Sequence, residues 1–196
     1  MRRILHRINT KDQLINCPTQ LGVEVDIRTF GDDFIIHHDP FVKGENLEEW
    51  LSAFNHGTLI LNVKEEGLES RLINLMRDHS IDDYFFLDQS FPFLVKTAEM
   101  GERRCAVRVS EYESIDTAMS LAGKVDWVWV DCFTHFPLTK EDADKLQIEG
   151  GFKLCFVSPE LQGRTEKGKV KIFRNEIDNL GIIGDAVCTK YPDLWA

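Results

Sequence analysis

Short runs rich in Val, Ile, Phe and Trp alternate with longer helix-like stretches along the whole chain, and this alternation limits the possible folds. The apolar runs predict eight strands, near residues 3–7, 22–29, 58–64, 84–89, 104–110, 126–132, 153–158 and 186–190. Helices are predicted near residues 10–17, 46–55, 67–79, 91–100, 113–123, 139–148 and 165–180, and a hairpin-like extension near 32–38. Thr10, Ser114 and Thr139, each followed by acidic residues, are predicted helix starts. Parallel sheets with helical connections have this pattern.

Two architectures fit such a series of strand–helix units: a closed (β/α)8 barrel, the TIM barrel, and an open doubly wound sheet. Polar residues near the C-terminal ends of many separate strands favour the barrel, because its mouth gathers those ends around one point. These residues are His6, Glu24, Asp26, Asn62, Lys64, Asp88, Arg108, Asp131, Ser158 and Lys190. We therefore predict an α/β fold, a compact TIM barrel built as a single domain over residues 1–196.

Charge and composition exclude several classes of partner. The net charge is −10, with acidic residues spread along the chain, so the surface repels the phosphates of nucleic acids. No apolar run approaches the roughly 20 residues of a membrane-spanning helix, and the first residues lack the apolar segment of a signal peptide. The five cysteines are dispersed without a C-x-x-C pair, which indicates reduced thiols. We expect a cytoplasmic protein that binds neither nucleic acid nor the membrane interior.

Charged side chains alternate with apolar ones along the second predicted strand. Glu24, Asp26 and Arg28 therefore share one face of that strand, as Asn62 and Lys64 share a face of the next one. Carboxylate and amide oxygens suit Mg²⁺ or Ca²⁺, so Glu24, Asp26 and Asn62 predict a site for one divalent cation. The positive charges of Arg28 and Lys64 would favour an anionic ligand such as a phosphate there. The alternative is that Glu24 and Asp26 only form ion pairs with Arg28 or Lys64.

Two histidines follow the first two predicted strands. His6 ends the first strand, and His38 lies in the hairpin after the second. Imidazole titrates near neutral pH, so the pair can act as the acid and the base that cleavage of a phosphodiester needs. Of the two adjacent histidines, His38 is preferred to His37 because Asp39-Pro40 follows it directly. The alternative for His6 is a core histidine without a catalytic role.

Residues of the fifth and sixth predicted strands would form the opposite wall of the site. We predict Arg108, Trp129 and Asp131 as substrate-binding residues, because an indole can stack on a sugar or glycerol moiety and a guanidinium can bind a second anionic group. The alternatives are that Trp127 and Trp129 belong to the core, and that Arg108 only pairs with Asp131.

Five short motifs, in order along the chain, together resemble those of the glycerophosphodiester phosphodiesterase family. The family motifs are H-R-G, E-x-D, H-D-P, N-I-E-I-K and D-G-I-x-T-D-x-P. The corresponding segments here are His6-Arg7, Glu24-x-Asp26, His38-Asp39-Pro40, Leu61-Asn62-Val63-Lys64 and Asp185-Ala186-Val187-Cys188-Thr189-Lys190-Tyr191-Pro192-Asp193. Each motif alone is weak, but the ordered set spans the chain.

The acidic surface argues against a membrane-embedded lipid, so we expect a small, soluble phosphodiester as the substrate. The resemblance implies a TIM-barrel phosphodiesterase that binds one divalent cation. It implies that a substrate hydroxyl attacks the phosphorus and that water then opens the resulting cyclic phosphate. The implied roles are catalysis for His6 and His38, metal binding for Glu24, Asp26 and Asn62, and phosphate binding for Arg7 and Lys64.

The chain departs from the family pattern at several positions, and the family's P-E-N-T stretch is shortened to Asn9-Thr10. Ile8 replaces a glycine, Asn62 stands where the phosphodiesterases carry a glutamate, and Lys190 replaces an aspartate. The amide of Asn62 removes one negative charge from the ligand set, which would weaken cation binding. Three functions therefore remain open: a hydrolase, a lyase that stops at the cyclic phosphate, and a non-catalytic phosphate-binding module.

Overall fold

Eight parallel strands form a barrel in the computed structural model, which describes all residues from Met1 to Ala196. The barrel strands are β1 (Arg2–Leu5), β2 (Gly22–Phe30), β5 (Leu59–Val63), β6 (Tyr84–Leu87), β7 (Ala106–Val109), β8 (Trp127–Val130), β9 (Lys153–Val157) and β10 (Ala186–Thr189). Strand β3 (Asp33–Ile36) pairs antiparallel with β2 across a turn at Gly31, whose φ of 65° suits glycine, and β4 (Glu45–Asn46) pairs with β3. These two strands form the predicted hairpin-like extension.

Hydrogen-bonded pairing runs around the barrel from β6 through β5, β2, β1, β10, β9 and β8 to β7. The remaining seam, between β6 and β7, is joined at one position only, a parallel bridge between Phe86 and Cys105. There the Phe86 amide donates a hydrogen bond of 2.8 Å to the Arg104 carbonyl. The predicted α/β barrel is therefore confirmed, and the open doubly wound sheet is wrong. The β6–β7 seam has the fewest paired positions in the barrel and is its weakest contact between strands. For comparison, the neighbouring strands β5 and β6 pair at four positions.

Seven helices cover the outside of the barrel. They are α1 (Lys11–Asn16), α2 (Leu47–Leu51), α3 (Glu69–Asp78), α4 (Phe91–Glu99), α5 (Ile115–Met119), α6 (Lys140–Asp144) and α7 (Lys167–Asn179). A π-helical turn at Lys145–Glu149 follows α6, and 3₁₀ turns lie at Pro159–Gln162 and Pro192–Trp195. Hydroxyl caps at Thr10, Ser114 and Thr139 begin α1, α5 and α6, as the sequence predicts. None of the helices is long and apolar enough to cross a bilayer.

The two faces of each barrel strand pack in different layers, one against the helices and one inside the barrel. Val23 and Val25 belong to the large core between strands and helices, while Glu24 and Asp26 are fully buried on the inner face of β2. Below them an inner apolar cluster fills the barrel, where Trp127 stacks on Phe85 with ring centroids 4.6 Å apart. Strand alternation thus directs the charged side chains into the barrel near the carboxyl ends of its strands.

The five cysteines form no disulfide. Cys105, Cys132, Cys155 and Cys188 are buried within the barrel strands or beside them, and Cys17 is partly exposed. Burial raises the pKa of the Cys132 thiol to about 12, so this thiol is protonated at neutral pH.

Candidate active site

A polar cavity of about 260 Å³ lies at the carboxyl ends of the barrel strands. Of the sequence-predicted site residues, His6, Arg7, Glu24, His38, Asn62, Lys64, Arg108, Trp129 and Asp131 line it. The other predicted residue, Asp26, is buried against Arg7 and Lys64. The fold therefore brings the whole predicted set together, from six different strands and the loops that follow them. Their chemical roles stay predictions.

Charges of opposite sign alternate from strand to strand around this cavity. We name this series the charge arc. It passes from β8 through β7, β6, β5 and β2 to β1, in the order Asp131, Arg108, Asp88, Lys64, Asp26 and Arg7. Each cation between two carboxylates offsets the repulsion that neighbouring acidic strand ends would otherwise produce.

One half of the charge arc surrounds the predicted cation site. Lys64 Nζ lies 3.1 Å from Asp88 Oδ2 and 3.3 Å from Asp26 Oδ1. Arg7 Nε lies 3.5 Å from Asp26 Oδ2, which also accepts a hydrogen bond of 2.8 Å from Asn9 Nδ2. The ion pairs that were the alternative interpretation of Asp26 are thus present. They place a lysine and an arginine on either side of a fully buried carboxylate.

The other half of the arc forms the opposite wall. Arg108 donates to Asp131 over 2.8 Å and to Asp88, and Gln162 donates to the second oxygen of Asp131 over 2.7 Å. The predicted alternative for Arg108, an inter-strand pair with Asp131, is therefore what the structure contains. Trp129 lines the cavity beside this wall, and only 5% of its surface is exposed.

Glu24 lies at the centre of the site, fully buried. One of its oxygens accepts a hydrogen bond of 2.7 Å from the Arg7 amide, and the other accepts 2.8 Å from Asn62 Nδ2. Burial, reinforced by the neighbouring Asp26 carboxylate, raises the pKa of Glu24 to about 7. A bound cation would favour the ionised form of this carboxylate and release its proton.

Two buried oxygens at the site accept no hydrogen bond: Asp26 Oδ1 and Asn62 Oδ1. Lys64 Nζ lies near the first of them, but outside hydrogen-bond geometry. Asp26 and Asn62 are register partners on the adjacent strands β2 and β5, so their side chains lie side by side. Unpartnered buried oxygens are costly unless a ligand satisfies them, and oxygen donors fit Mg²⁺ or Ca²⁺. No three His, Cys, Asp or Glu side chains are arranged to hold a metal, so a cation here depends on Asn62.

The two predicted catalytic histidines differ in their surroundings. His6 Nε2 lies 3.8 Å from Glu24 Oε2, and its buried Nδ1 has no partner. Burial, together with the nearby Arg7 guanidinium, lowers the pKa of His6 to about 4. His38 Nδ1 lies 2.8 Å from Asp39 Oδ1, which fixes the orientation of a half-exposed ring. His37 does not line the cavity, and its Nδ1 accepts a hydrogen bond of 3.0 Å from the Asp39 amide.

Arg28 has a different position from the one that the sequence suggests. Its guanidinium donates to the His38 carbonyl over 3.1 and 3.0 Å, and to the Lys64 carbonyl over 3.3 Å. The positive charge therefore lies behind two loops of the site, where it holds the His38 loop against the end of β5. Arg28 does not line the cavity that Lys64 lines.

Three further contributors were not assigned roles from the sequence. Asn9 exchanges two hydrogen bonds with Asp26, Gln162 holds Asp131, and Asp88 links the two halves of the charge arc. Asp88 and Arg7 both have a left-handed backbone, with φ values of 61° and 56°. Non-glycine residues with a positive φ are strained and concentrate at functional sites. The residue types Asp and Arg do not indicate such a backbone, so the sequence could not predict it.

The cavity differs in charge from the protein as a whole. Its cations Arg7, Lys64, Arg108 and Lys190 match in number its carboxylates Glu24, Asp88 and Asp131 together with the adjoining Asp26. The chain carries 33 acidic and 23 basic residues, so this balance is local. Lys190 forms no ion pair and remains available to an anion. The cavity therefore repels an anion less than the rest of this acidic protein does.

The sequence matches no protein-family model and no curated protein. Two solved structures are similar in fold. One is a glycerophosphodiester phosphodiesterase from Agrobacterium tumefaciens str. C58, with a TM-score of 0.65, 13% identity and coverage of 99% of this chain and 98% of that one. The other is a mutant tryptophan synthase α-subunit from Pyrococcus furiosus, with a TM-score of 0.57, 11% identity and coverage of 95% and 85%. Two differently named enzymes share this barrel, so the likeness establishes the fold and not the reaction.

The charge arc predicts strong energetic coupling between Arg108 and Asp131. Arg108→Met leaves the Asp131 carboxylate, which is 2% exposed, without its ion partner, and should cost about 2 kcal/mol of unfolding free energy. The double variant Arg108→Met/Asp131→Asn should cost less than the two single changes together, by about 1 kcal/mol or more. Equilibrium urea unfolding measures all the variants.

The exposed pair Lys145–Asp116 provides the control for this cycle. Lys145→Met removes a lysine ion pair whose nitrogen–oxygen distance is 3.3 Å but whose side chains are 40% and 81% exposed. It should change the unfolding free energy by no more than about 0.5 kcal/mol. Additive costs for Arg108→Met and Asp131→Asn would show that the arc does not hold the barrel mouth.

Proposed function

We propose that this protein is a metal-dependent phosphodiesterase that hydrolyses a small soluble diester of glycerol or a related polyol. The observation that carries the proposal is a pair of buried oxygens that accept no hydrogen bond, Asp26 Oδ1 and Asn62 Oδ1, beside a cavity that two imidazoles also line. The order of the sequence motifs and the fold shared with a glycerophosphodiester phosphodiesterase support it.

The cations of the cavity would bind the phosphate. Arg7 and Lys64 flank Asp26 and extend into the cavity, and Lys190 lies free at its edge. Guanidinium and ammonium groups aimed at phosphoryl oxygens stabilise the negative charge that develops during phosphoryl transfer. In a chain with a net charge of −10, these contacts also determine where a phosphodiester binds.

A divalent cation would be held by Asp26, Asn62 and Glu24. When bound, it would polarise a phosphoryl oxygen and offset its charge. Lys64 contacts both Asp26 and Asp88, so it can keep the second contact when a cation takes the Asp26 oxygen. A cation could thus replace Lys64 at Asp26 without leaving the Lys64 ammonium unpaired.

His6 and His38 would share the proton transfers. Cleavage needs a base for the attacking oxygen and an acid for the leaving alkoxide, and imidazole serves both. Asp39 fixes the His38 ring through Nδ1 and leaves Nε2 free of that contact. Arg28 holds the His38 carbonyl, so both the backbone and the ring of this histidine have a defined position.

Replacing either imidazole should abolish most of the activity. His6→Ala and His38→Ala should each lower kcat by at least ~10²-fold on glycerophosphodiesters with added Mg²⁺ or Ca²⁺, because each removes one proton-transfer group. Phosphorus NMR follows the products, and a persistent cyclic ester instead of a monoester would identify a lyase.

His37→Ala is the matched control for these variants, since it removes an adjacent imidazole that does not line the cavity. It should keep turnover within a few-fold of the wild type. Wild-type turnover in both His6→Ala and His38→Ala would remove the catalytic assignment.

A second candidate is a phosphate-binding module without catalysis. One contact favours it, because the Lys64 ammonium lies 3.3 Å from Asp26 Oδ1 and already compensates that carboxylate. The amide of Asn62 adds no charge that would draw a cation there. The two candidates differ in whether a divalent cation binds.

Substitution of Asn62 separates the two candidates. Asn62→Glu adds a third carboxylate to the ligand set and should tighten the binding of Mg²⁺, Ca²⁺ or Mn²⁺ at least tenfold in isothermal titration calorimetry. Asn55→Glu makes the same charge change at an exposed position outside the cavity and should leave the affinity unchanged. If neither the wild type nor Asn62→Glu binds a cation, the hydrolase proposal fails and the binding module remains.

A further inference from the structure

A second cavity, of about 740 Å³, opens at the β6–β7 seam beside the central one. Beyond the single bridge between Phe86 and Cys105 these two strands form no further pairs. The space between them extends outward between α4 and α5. We name it the seam cleft; half of its twelve lining residues are apolar or aromatic, namely Leu87, Phe91, Leu94, Ala106, Val107 and Tyr112, and the others, which include Gln89, Glu113 and Thr117, are polar.

The seam cleft and the central cavity share a wall. Leu87, Asp88 and Arg108 line both spaces. The ion pair between Asp88 and Arg108 crosses the seam where backbone pairing is missing. The two spaces are therefore adjacent, with the Asp88–Arg108 pair between them.

The lining of the cleft is apolar next to this wall. Leu87 and Leu94 are almost fully buried, and the small side chain of Ala106 leaves room between them. Phe91 and Tyr112 are 46% and 78% exposed, although both are aromatic. Large exposed apolar side chains around a concave space indicate a ligand surface, and the volume lies in the range of small-molecule sites.

We propose that the seam cleft binds an apolar alkyl or aryl substituent on one alcohol of the phosphodiester. The inference rests on the proposed function, since the phosphate that anchors this ligand lies in the central cavity. The substrate then carries a polar alcohol on one side of the phosphorus and an apolar one on the other. This assigns substrate selectivity to the weakest seam of the barrel.

Binding of two simple diesters tests the proposal. Isothermal titration calorimetry with dimethyl phosphate and dibutyl phosphate, each with added Mg²⁺, compares ligands that differ only in their alkyl groups. Each buried methylene contributes about fourfold in affinity, so dibutyl phosphate should bind at least about tenfold more tightly. Equal affinity for the two diesters, or no binding of dibutyl phosphate, would overturn the proposal.

Substitutions in the seam cleft test whether the cleft causes the affinity difference between the two diesters. Thr117→Trp fills the cleft from the exposed surface of α5 and should bring the affinity ratio of the two diesters close to one. Tyr112→Ala removes an exposed aromatic wall and should lower the ratio several-fold. Phe41→Ala, a fully exposed phenylalanine outside the cleft, is the control and should keep the ratio of the wild type. An unchanged ratio in folded Thr117→Trp and Tyr112→Ala would refute the assignment.

Turnover separates this inference from the proposed function. The methyl and butyl diesters of glycerol 3-phosphate share a polar alcohol and carry no aryl group, so the ratio of their kcat/KM values reports the contribution of the alkyl group alone. Hydrolysis of both at equal kcat/KM would support the phosphodiesterase and overturn the role of the cleft. A cleft-dependent preference for dibutyl phosphate without hydrolysis of any diester would support the cleft and overturn the proposed function.

Discussion

Alternating charges on neighbouring strand ends hold the mouth of this barrel together. Without Lys64 and Arg108, the carboxylates of Asp26, Asp88 and Asp131 would lie on alternate strands of a partly buried barrel mouth, with little water to screen them. In the proposed function the same cations would attract the phosphate. Stability at the mouth and recognition of a ligand would then depend on one set of side chains.

The sequence predicted the features that depend on period and strand position. Alternation along β2 separates Val23 and Val25 from Glu24 and Asp26, and burial follows that separation. Parallel strands in a barrel all end at one mouth, so polar residues at their C-terminal ends can be predicted to lie together from strand positions alone. Hydroxyl residues before acidic ones predicted the starts of α1, α5 and α6, since capping is a local interaction.

Features that depend on contacts between distant segments could not be predicted in this way. Arg28 is charged and shares a face with Asp26, yet its guanidinium reaches two loop carbonyls whose positions only the folded chain defines. Asn9 and Gln162 hold acidic residues far away in the sequence. The incomplete pairing between β6 and β7, which opens the seam cleft, likewise has no signal in either strand, because both strands have ordinary strand composition.

The central claim is that neighbouring strands offer Asp26 and Asn62 oxygens to a divalent cation beside a bound phosphate. Anomalous diffraction from crystals soaked with Mn²⁺ and dimethyl phosphate tests it directly, because Mn²⁺ accepts the same oxygen ligands as Mg²⁺. We expect one Mn²⁺ about 2.0–2.6 Å from Asp26 Oδ1 and Asn62 Oδ1, with the phosphate between the ion and the two histidines and with Lys64 on Asp88 alone. Bound phosphate without Mn²⁺ at these oxygens, and with Lys64 still against Asp26, would contradict the claim.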